Sequence, residues 1–172
     1  PWHSPPHAQG WSTHFLISAA CFEHKPVIGF NLHRMAAFES DLLGVLDTLT
    51  DELFAWVVLP NHYHALVRTD EVVALLGALG ALHGHTSHDW NGEENKRGRK
   101  TWHNAQERGI RSQAHFWATL NYVHNNPVKH RYVERWQDWP FSSAREYLSA
   151  VGRDEAARIW KEYPVREYGS RW

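Results

Sequence analysis

The stretch Leu53-Phe54-Ala55-Trp56-Val57-Val58-Leu59-Pro60-Asn61-His62-Tyr63-His64-Ala65-Leu66-Val67 decides the fold. Leu53 to Leu59 is a short apolar run rich in β formers, and Pro60-Asn61 breaks it. From His62 to Thr69 the side chains alternate again. Two such runs around a tight break predict a pair of strands joined by a turn. Working outward, Trp11 to Phe22 reads as a further strand, with His14, Leu16, Ser18 and Ala20 alternating against Phe15, Ile17, Ala19 and Cys21. Asn31 is a candidate helix cap, followed by Met35, Phe38, Leu42, Leu43, Leu46 and Leu49 at helical spacing. Downstream, Glu71 to about His83 predicts a helix, against which Gly77, Gly80 and Gly84 argue. Asn91 to Lys100 reads as a polar basic loop and Thr101 to Ile110 as a strand. Ser112 is a candidate cap for a helix that Pro127 should end at Asn125 or Asn126. Two helices are expected over Phe141 to Val151 and Asp154 to Tyr163, and an irregular start over Pro5, Pro6 and Gly10. The order β-α-β-β-α-β-α with a helical tail predicts an α+β fold, an antiparallel sheet with helices on one face.

With 172 residues, 42% hydrophobic and 22% charged, the chain predicts one globular domain with a real core. It contains no run of 18 apolar residues, which excludes a membrane-spanning helix. The single cysteine, Cys21, excludes an intramolecular disulfide and a multi-cysteine zinc site, and suits a reducing cytoplasm. Pro1-Trp2-His3-Ser4-Pro5-Pro6 lacks the apolar stretch of a signal peptide, and a first residue other than Met reads as a start inside a longer chain.

The net charge of −1 hides an asymmetry. Residues 1–95 carry 3 basic and 11 acidic residues, whereas residues 96–135 carry 9 basic and 2 acidic. The basic segment is a candidate phosphate-binding footprint, with Lys96, Arg97, Arg99, Lys100, Arg108, Arg111, Lys129 and Arg131 as its DNA-contacting side chains. The same cluster over Lys96 to Lys100 also fits a solvated loop. His103, His115, His124 and His130 are expected to add charge below about pH 6.5. Trp90, Trp102 and Trp117 are candidates for stacking on unpaired bases, although Trp117 fits a core position better.

His62 and His64 share one face of a strand and can together hold a divalent metal. The spacing alone is weak, because 14 His in 172 residues give about one His-x-His by chance, and His83-Gly84-His85 is a second. Position separates the two: only His62 and His64 follow a strand and a tight turn, where a site is held rigidly. On the helix from Ser112, the stripe Phe116, Thr119, Leu120 and Val123 predicts a core face. Tyr122 and Asn126, four apart, are neighbours on another face, with His115 earlier on it as a possible proton acceptor. A helical tyrosine is usually packing; beside a metal it is also a possible nucleophile, and an amide oxygen one turn away can complete a hard-ion site.

Trp56 to Val67 resembles the His-hydrophobic-His segment of the single-tyrosine HUH transposases, and Asn121-Tyr122-Val123-His124-Asn125-Asn126-Pro127-Val128-Lys129-His130 resembles their tyrosine helix. The Asn-Pro-Val-Lys run, followed by Asp138-Trp139-Pro140-Phe141-Ser142-Ser143, is similar to the REP-associated branch, which acts on repetitive extragenic palindromes in bacterial genomes. The resemblance spans about residues 11–150. It implies a ferredoxin-like sheet with the histidines on a central strand, a nuclease domain over 1–135 and a helical extension over 136–172 packed on it. It implies Mg²⁺ or Mn²⁺ on His62, His64 and Asn126, and Tyr122 as nucleophile on single-stranded DNA beside a hairpin, leaving a 5′-phosphotyrosine and a free 3′-hydroxyl. A cytoplasmic, nucleoid-associated bacterial protein, monomeric or homodimeric, goes with that activity. The residues leave three alternatives open: a domesticated DNA-binding module that does not cut, a metal-dependent phosphodiesterase using water, and a histidine-rich metal-storage or structural protein.

Overall fold

The computed structural model describes residues 11–165 and Tyr168. The irregular start expected from Pro5, Pro6 and Gly10 lies outside them. The elements run β1 (His14–Ala20), α1 (Leu32–Leu49), β2 (Glu52–Leu59), β3 (His62–Arg68), α2 (Val72–Glu93), β4 (Gln106–Gly109), α3 (Gln113–Lys129), α4 (Ala144–Val151) and α5 (Arg153–Glu162). The sheet is antiparallel in the order β2-β3-β1-β4, so β3 and β1 are central.

The helices cover both faces of the sheet, not one. Ile17, Ala19, Trp56, Val58, Tyr63, Ala65 and Val67 pack under α1 and α2 with Phe38, Leu42, Leu75 and Leu79. Leu16, Ala55, Val57, Leu59 and Leu66 pack against α3, α4 and α5 through Phe116, Leu120, Val123, Tyr147 and Ile159. The apolar run of β2 is continuous because both of its faces are buried. A register shift between Leu53 and Ala55 puts Phe54 and Ala55 into the same core, as a bulge requires. The hairpin turn is Pro60-Asn61, as the sequence predicts. The tail joins the α3-side core, and Ser142 bridges Val57 at the β2 edge.

Asn31 and Ser112 cap α1 and α3, accepting from the backbone N–H of Arg34 and His115 at 2.8 and 3.1 Å. Three expectations are corrected. Helix α2 runs on to Glu93 and takes in His83-Gly84-His85 and the first part of the expected loop, because Leu75, Leu79, Leu82, His83, Thr86 and Trp90 all bury one stripe. Each glycine costs a helix about 1 kcal/mol, and that burial outweighs it. Helix α3 passes through Pro127 to Lys129, its end closed beyond the proline by the His130 N–H donating to the Asn126 carbonyl at 3.0 Å. The strand expected over Thr101 to Ile110 shrinks to Gln106–Gly109, with Trp102 in an isolated bridge to Cys21. Among the described residues, no helix is long and apolar enough to cross a membrane.

Candidate functional site

Alternation along β3 sends Tyr63 into the α1–α2 core, where its hydroxyl lies 3.1 Å from His83 Nε2, and turns His62 and His64 toward α3. Ser18 is the direct cross-strand partner of His64 on β1, so it shares that face. Helix α3 lies across it with Phe116 and Leu120 over the apolar end and Tyr122 and Asn126 over the polar end. Two segments about 60 residues apart thereby meet. His62 Nε2 is 2.9 Å from Asn126 Oδ1, and the Tyr122 hydroxyl is 3.2 Å from His64 Nε2. The two imidazole centroids are 5.2 Å apart. His62, His64 and Tyr122 line a cleft of about 720 Å³, with Asn126 buried behind them; His24, His103, Arg108, Lys129 and His130 also line it.

Burial sets the charge of the group. It lowers His62 to about 4, although Asn126 Oδ1 would favour a protonated ring, and the neighbouring His130, His24 and Lys129 add to the fall. His64 is held well below the usual imidazole value, first by burial and then by His62. Each ring is therefore neutral near pH 7 and offers a lone pair. Burial raises the Tyr122 phenol, and its neighbour Asn126 pulls the other way. Lys129 Nζ sits 5.1 Å from the Tyr122 ring centroid, and the Tyr168 ring centroid is also 5.1 Å from it, tilted by 51°.

A divalent cation suits this donor set, because two neutral imidazoles and an amide oxygen converge, with Asn126 Oδ1 facing His62. Oxygen and nitrogen donors of this kind take Mg²⁺ or Mn²⁺.

No family model matches the chain. Over 96 residues it is 30% identical to a REP-associated tyrosine transposase of Escherichia coli (strain K12), covering 54% of this chain and 53% of the relative. The chain thus spans about half the length of the curated relative it matches. The solved structure of a REP-associated tyrosine transposase bound to a REP hairpin matches with a TM-score of 0.64 at 18% identity, over 88% of this chain and 90% of that one. In sequence and in fold the chain is similar to the REP-associated tyrosine transposases. That is the resemblance its two motifs carry, and the structural match speaks to the transposase fold.

The remaining candidates fare differently. Arg108 and Lys129 line the cleft, and Arg111 and Arg131 are exposed. Lys96, Arg97, Arg99 and Lys100 do not line the cleft, and each meets a group of the protein itself. Arg99 forks onto Glu94 at 2.8 and 3.1 Å, and Lys96 joins the same carboxylate at 3.1 Å. Arg97 donates to the His88 carbonyl, and Lys100 lies over the Phe22 ring. Glu94, lowered to about 2 chiefly by Arg99, also binds the buried Arg34 at 2.6 Å. Trp90, Trp102 and Trp117 are all core residues and stack on no base from there. His115 contacts the Tyr168 hydroxyl at 3.0 Å, not Tyr122. Burial lowers His115, His124 and His130 below the usual imidazole value, His124 to about 3. Sequence reasoning missed Ser18, whose Oγ is 2.7 Å from His64 Nδ1, and Asn61, whose Oδ1 is 2.7 Å from His62 Nδ1. The signal for Asn61 was its place directly before His62; that for Ser18 was its position on the polar face of β1.

Proposed function

We propose that this chain is a transposase-like endonuclease that binds single-stranded DNA beside a REP-type hairpin and cuts it through Tyr122. In this account His62, His64 and Asn126 hold Mg²⁺ or Mn²⁺. One observation carries it: the Tyr122 hydroxyl stands 3.2 Å from His64, next to the His62–Asn126 contact, on an open cleft edged by Arg108 and Lys129. The similarity to a REP-associated tyrosine transposase and to a hairpin-bound structure supports the choice of substrate.

A bound cation would polarise the scissile phosphate and offset charge developing on its oxygens. The protein's own groups do the rest. Arg108 and Lys129 attract the phosphate backbone into the cleft. Helix α3 holds Tyr122 so that its oxygen attacks phosphorus in line with the departing 3′ oxygen. The new bond joins that oxygen to the 5′ phosphate, and the 3′ strand leaves as a hydroxyl. Burial keeps the phenol protonated near neutral pH, so its proton passes to water in the cleft as attack proceeds, and the departing 3′ oxygen takes one up from water. The covalent link conserves the phosphodiester, so rejoining needs no nucleotide cofactor.

The test is a single-stranded oligonucleotide carrying a REP-type hairpin, incubated with the protein and Mn²⁺. A covalent adduct should form, and mass spectrometry should place it on Tyr122. Tyr122→Phe should bind the oligonucleotide as the wild type does and form no adduct. Cleavage by Tyr122→Phe at the wild-type rate would mean that water is the nucleophile. Binding without cleavage by the wild type would mean a DNA-binding module that does not cut.

A further inference from the structure

Asn61 occupies the second position of the two-residue turn between β2 and β3. Asparagine is common in turns where the backbone needs positive φ. Asn61 is not among the residues with positive φ, so the backbone alone does not call for it. Its side chain is engaged at each end. Nδ2 donates to the His24 carbonyl at 2.9 Å, and Oδ1 lies 2.7 Å from His62 Nδ1. Its own carbonyl accepts from the Cys21 N–H at 2.7 Å. The turn is pressed in place from outside, because the Gly29 N–H donates to the Pro60 carbonyl at 2.9 Å and a Cβ on Gly29 would fall 2.4 Å from Pro60 Cβ.

These contacts decide a proton. The His24 carbonyl can only accept, so the Asn61 amide must present nitrogen to it and oxygen to His62. An amide oxygen can only accept as well, so His62 must carry its single N–H at Nδ1. Its Nε2 then holds a lone pair aimed at Asn126 Oδ1, 2.9 Å away. Two acceptors cannot rest in contact. The Asn126 amide must turn its Nδ2 toward the ring, or a cation must lie between them. Ser18 treats His64 differently, because a hydroxyl can donate or accept and so holds the ring without choosing its tautomer.

We propose that Asn61 is a positioning residue that locks His62 in the Nδ1–H tautomer and so presents its Nε2 lone pair to the cation site before any ion arrives. The inference rests on the metal-site account above, and its test has an arm independent of it. Long-range ¹⁵N–¹H NMR of the chelator-treated protein at pH 7.5 should show His62 protonated at Nδ1. Asn61→Ala should give a tautomer mixture and weaken Mn²⁺ binding about 10- to 100-fold by calorimetry, the usual loss for an outer partner of a ligand. Asn61→Asp keeps an acceptor against Nδ1–H, though it gives up the donor to the His24 carbonyl, and should restore the Nδ1–H tautomer that Asn61→Ala loses. Wild-type His62 protonated at Nε2 overturns the proposal without reference to any variant. So does an Asn61→Ala protein with tautomer and Mn²⁺ affinity unchanged. If the wild type binds no Mn²⁺, the metal-site account fails, while the tautomer arm still decides what Asn61 does.

Discussion

Tyr122 is 4% exposed, and its hydroxyl approaches an imidazole that is itself tied to Ser18. His64→Ala takes one hydrogen-bond partner from each and leaves space on the α3 face, a loss of about 1–3 kcal/mol. The fold rests on two separate cores and should survive it. The expected outcome is an unchanged far-ultraviolet circular dichroism spectrum, a lower urea midpoint, and no calorimetric signal for Mn²⁺. Retained Mn²⁺ affinity in His64→Ala would remove this residue from the metal site. The pair His62 and His64 was legible in the sequence because a period of two puts alternate strand residues on one face, and Asn126 because i and i+4 adjoin on a helix. That the two faces meet was not, since it depends on how α3 crosses the sheet. Asn61 hid behind its commoner use as a breaker of strands.

At the scale of elements, part of the basic run is paired within the fold. The Lys96 to Lys100 segment looks like a phosphate grip when its cations are counted alone. One acidic residue just before it, Glu94, collects Lys96, Arg99 and the buried Arg34 onto a single carboxylate 8% exposed at its side chain. The segment pins the end of α2 to the chain leading into β4, and Asn91 Nδ2 adds a bond to the Arg99 carbonyl at 2.8 Å. Arg99→Ala should therefore lower the urea midpoint and leave the salt dependence of DNA binding unchanged. Lys129→Ala, at the cleft, should keep the midpoint and reduce the slope of log K against log salt by about 1. A slope reduced in Arg99→Ala as well would return the cluster to the DNA interface. The extent of α2 escaped sequence reasoning for a related reason. Gly77, Gly80 and Gly84 face solvent, where they weaken the helix locally, while the buried stripe that sustains it is a property of the packed layer.

Over the whole molecule, both faces of the sheet are covered, and that burial encloses imidazoles as well as apolar side chains. His83 sits in the α1–α2 layer, stacked on Trp102 at 4.2 Å, and His124 in the other, with Nε2 3.0 Å from Ser143 Oγ. Burial lowers His83 to about 4 and His124 to about 3. In the unfolded chain each returns to about 6.5. Between about pH 6.5 and 4 the unfolded chain thus binds more protons than the native one, so the stability these rings contribute is whole above about 6.5 and falls with pH through that window. Each contributes a slope of about 1.4 kcal/mol per pH unit there. Glu39 works against this, pushed up to about 6 by burial and then by Glu146. Its carboxyl protonates in the fold before it does in the unfolded chain, which returns part of the loss between about pH 6 and 4.5. One carboxyl does not offset several rings, since His14, His62 and His64 are lowered as well. Urea midpoints measured in half-unit steps should fall from pH 6.5 to 4.5. His83→Gln keeps a hydrogen-bonding group near the Tyr63 hydroxyl but has no proton to gain, so its slope should be shallower by about 1.4 kcal/mol per pH unit. A wild-type midpoint that stays level across that range, or a His83→Gln slope equal to the wild type's, would mean that these rings are not held neutral by the fold.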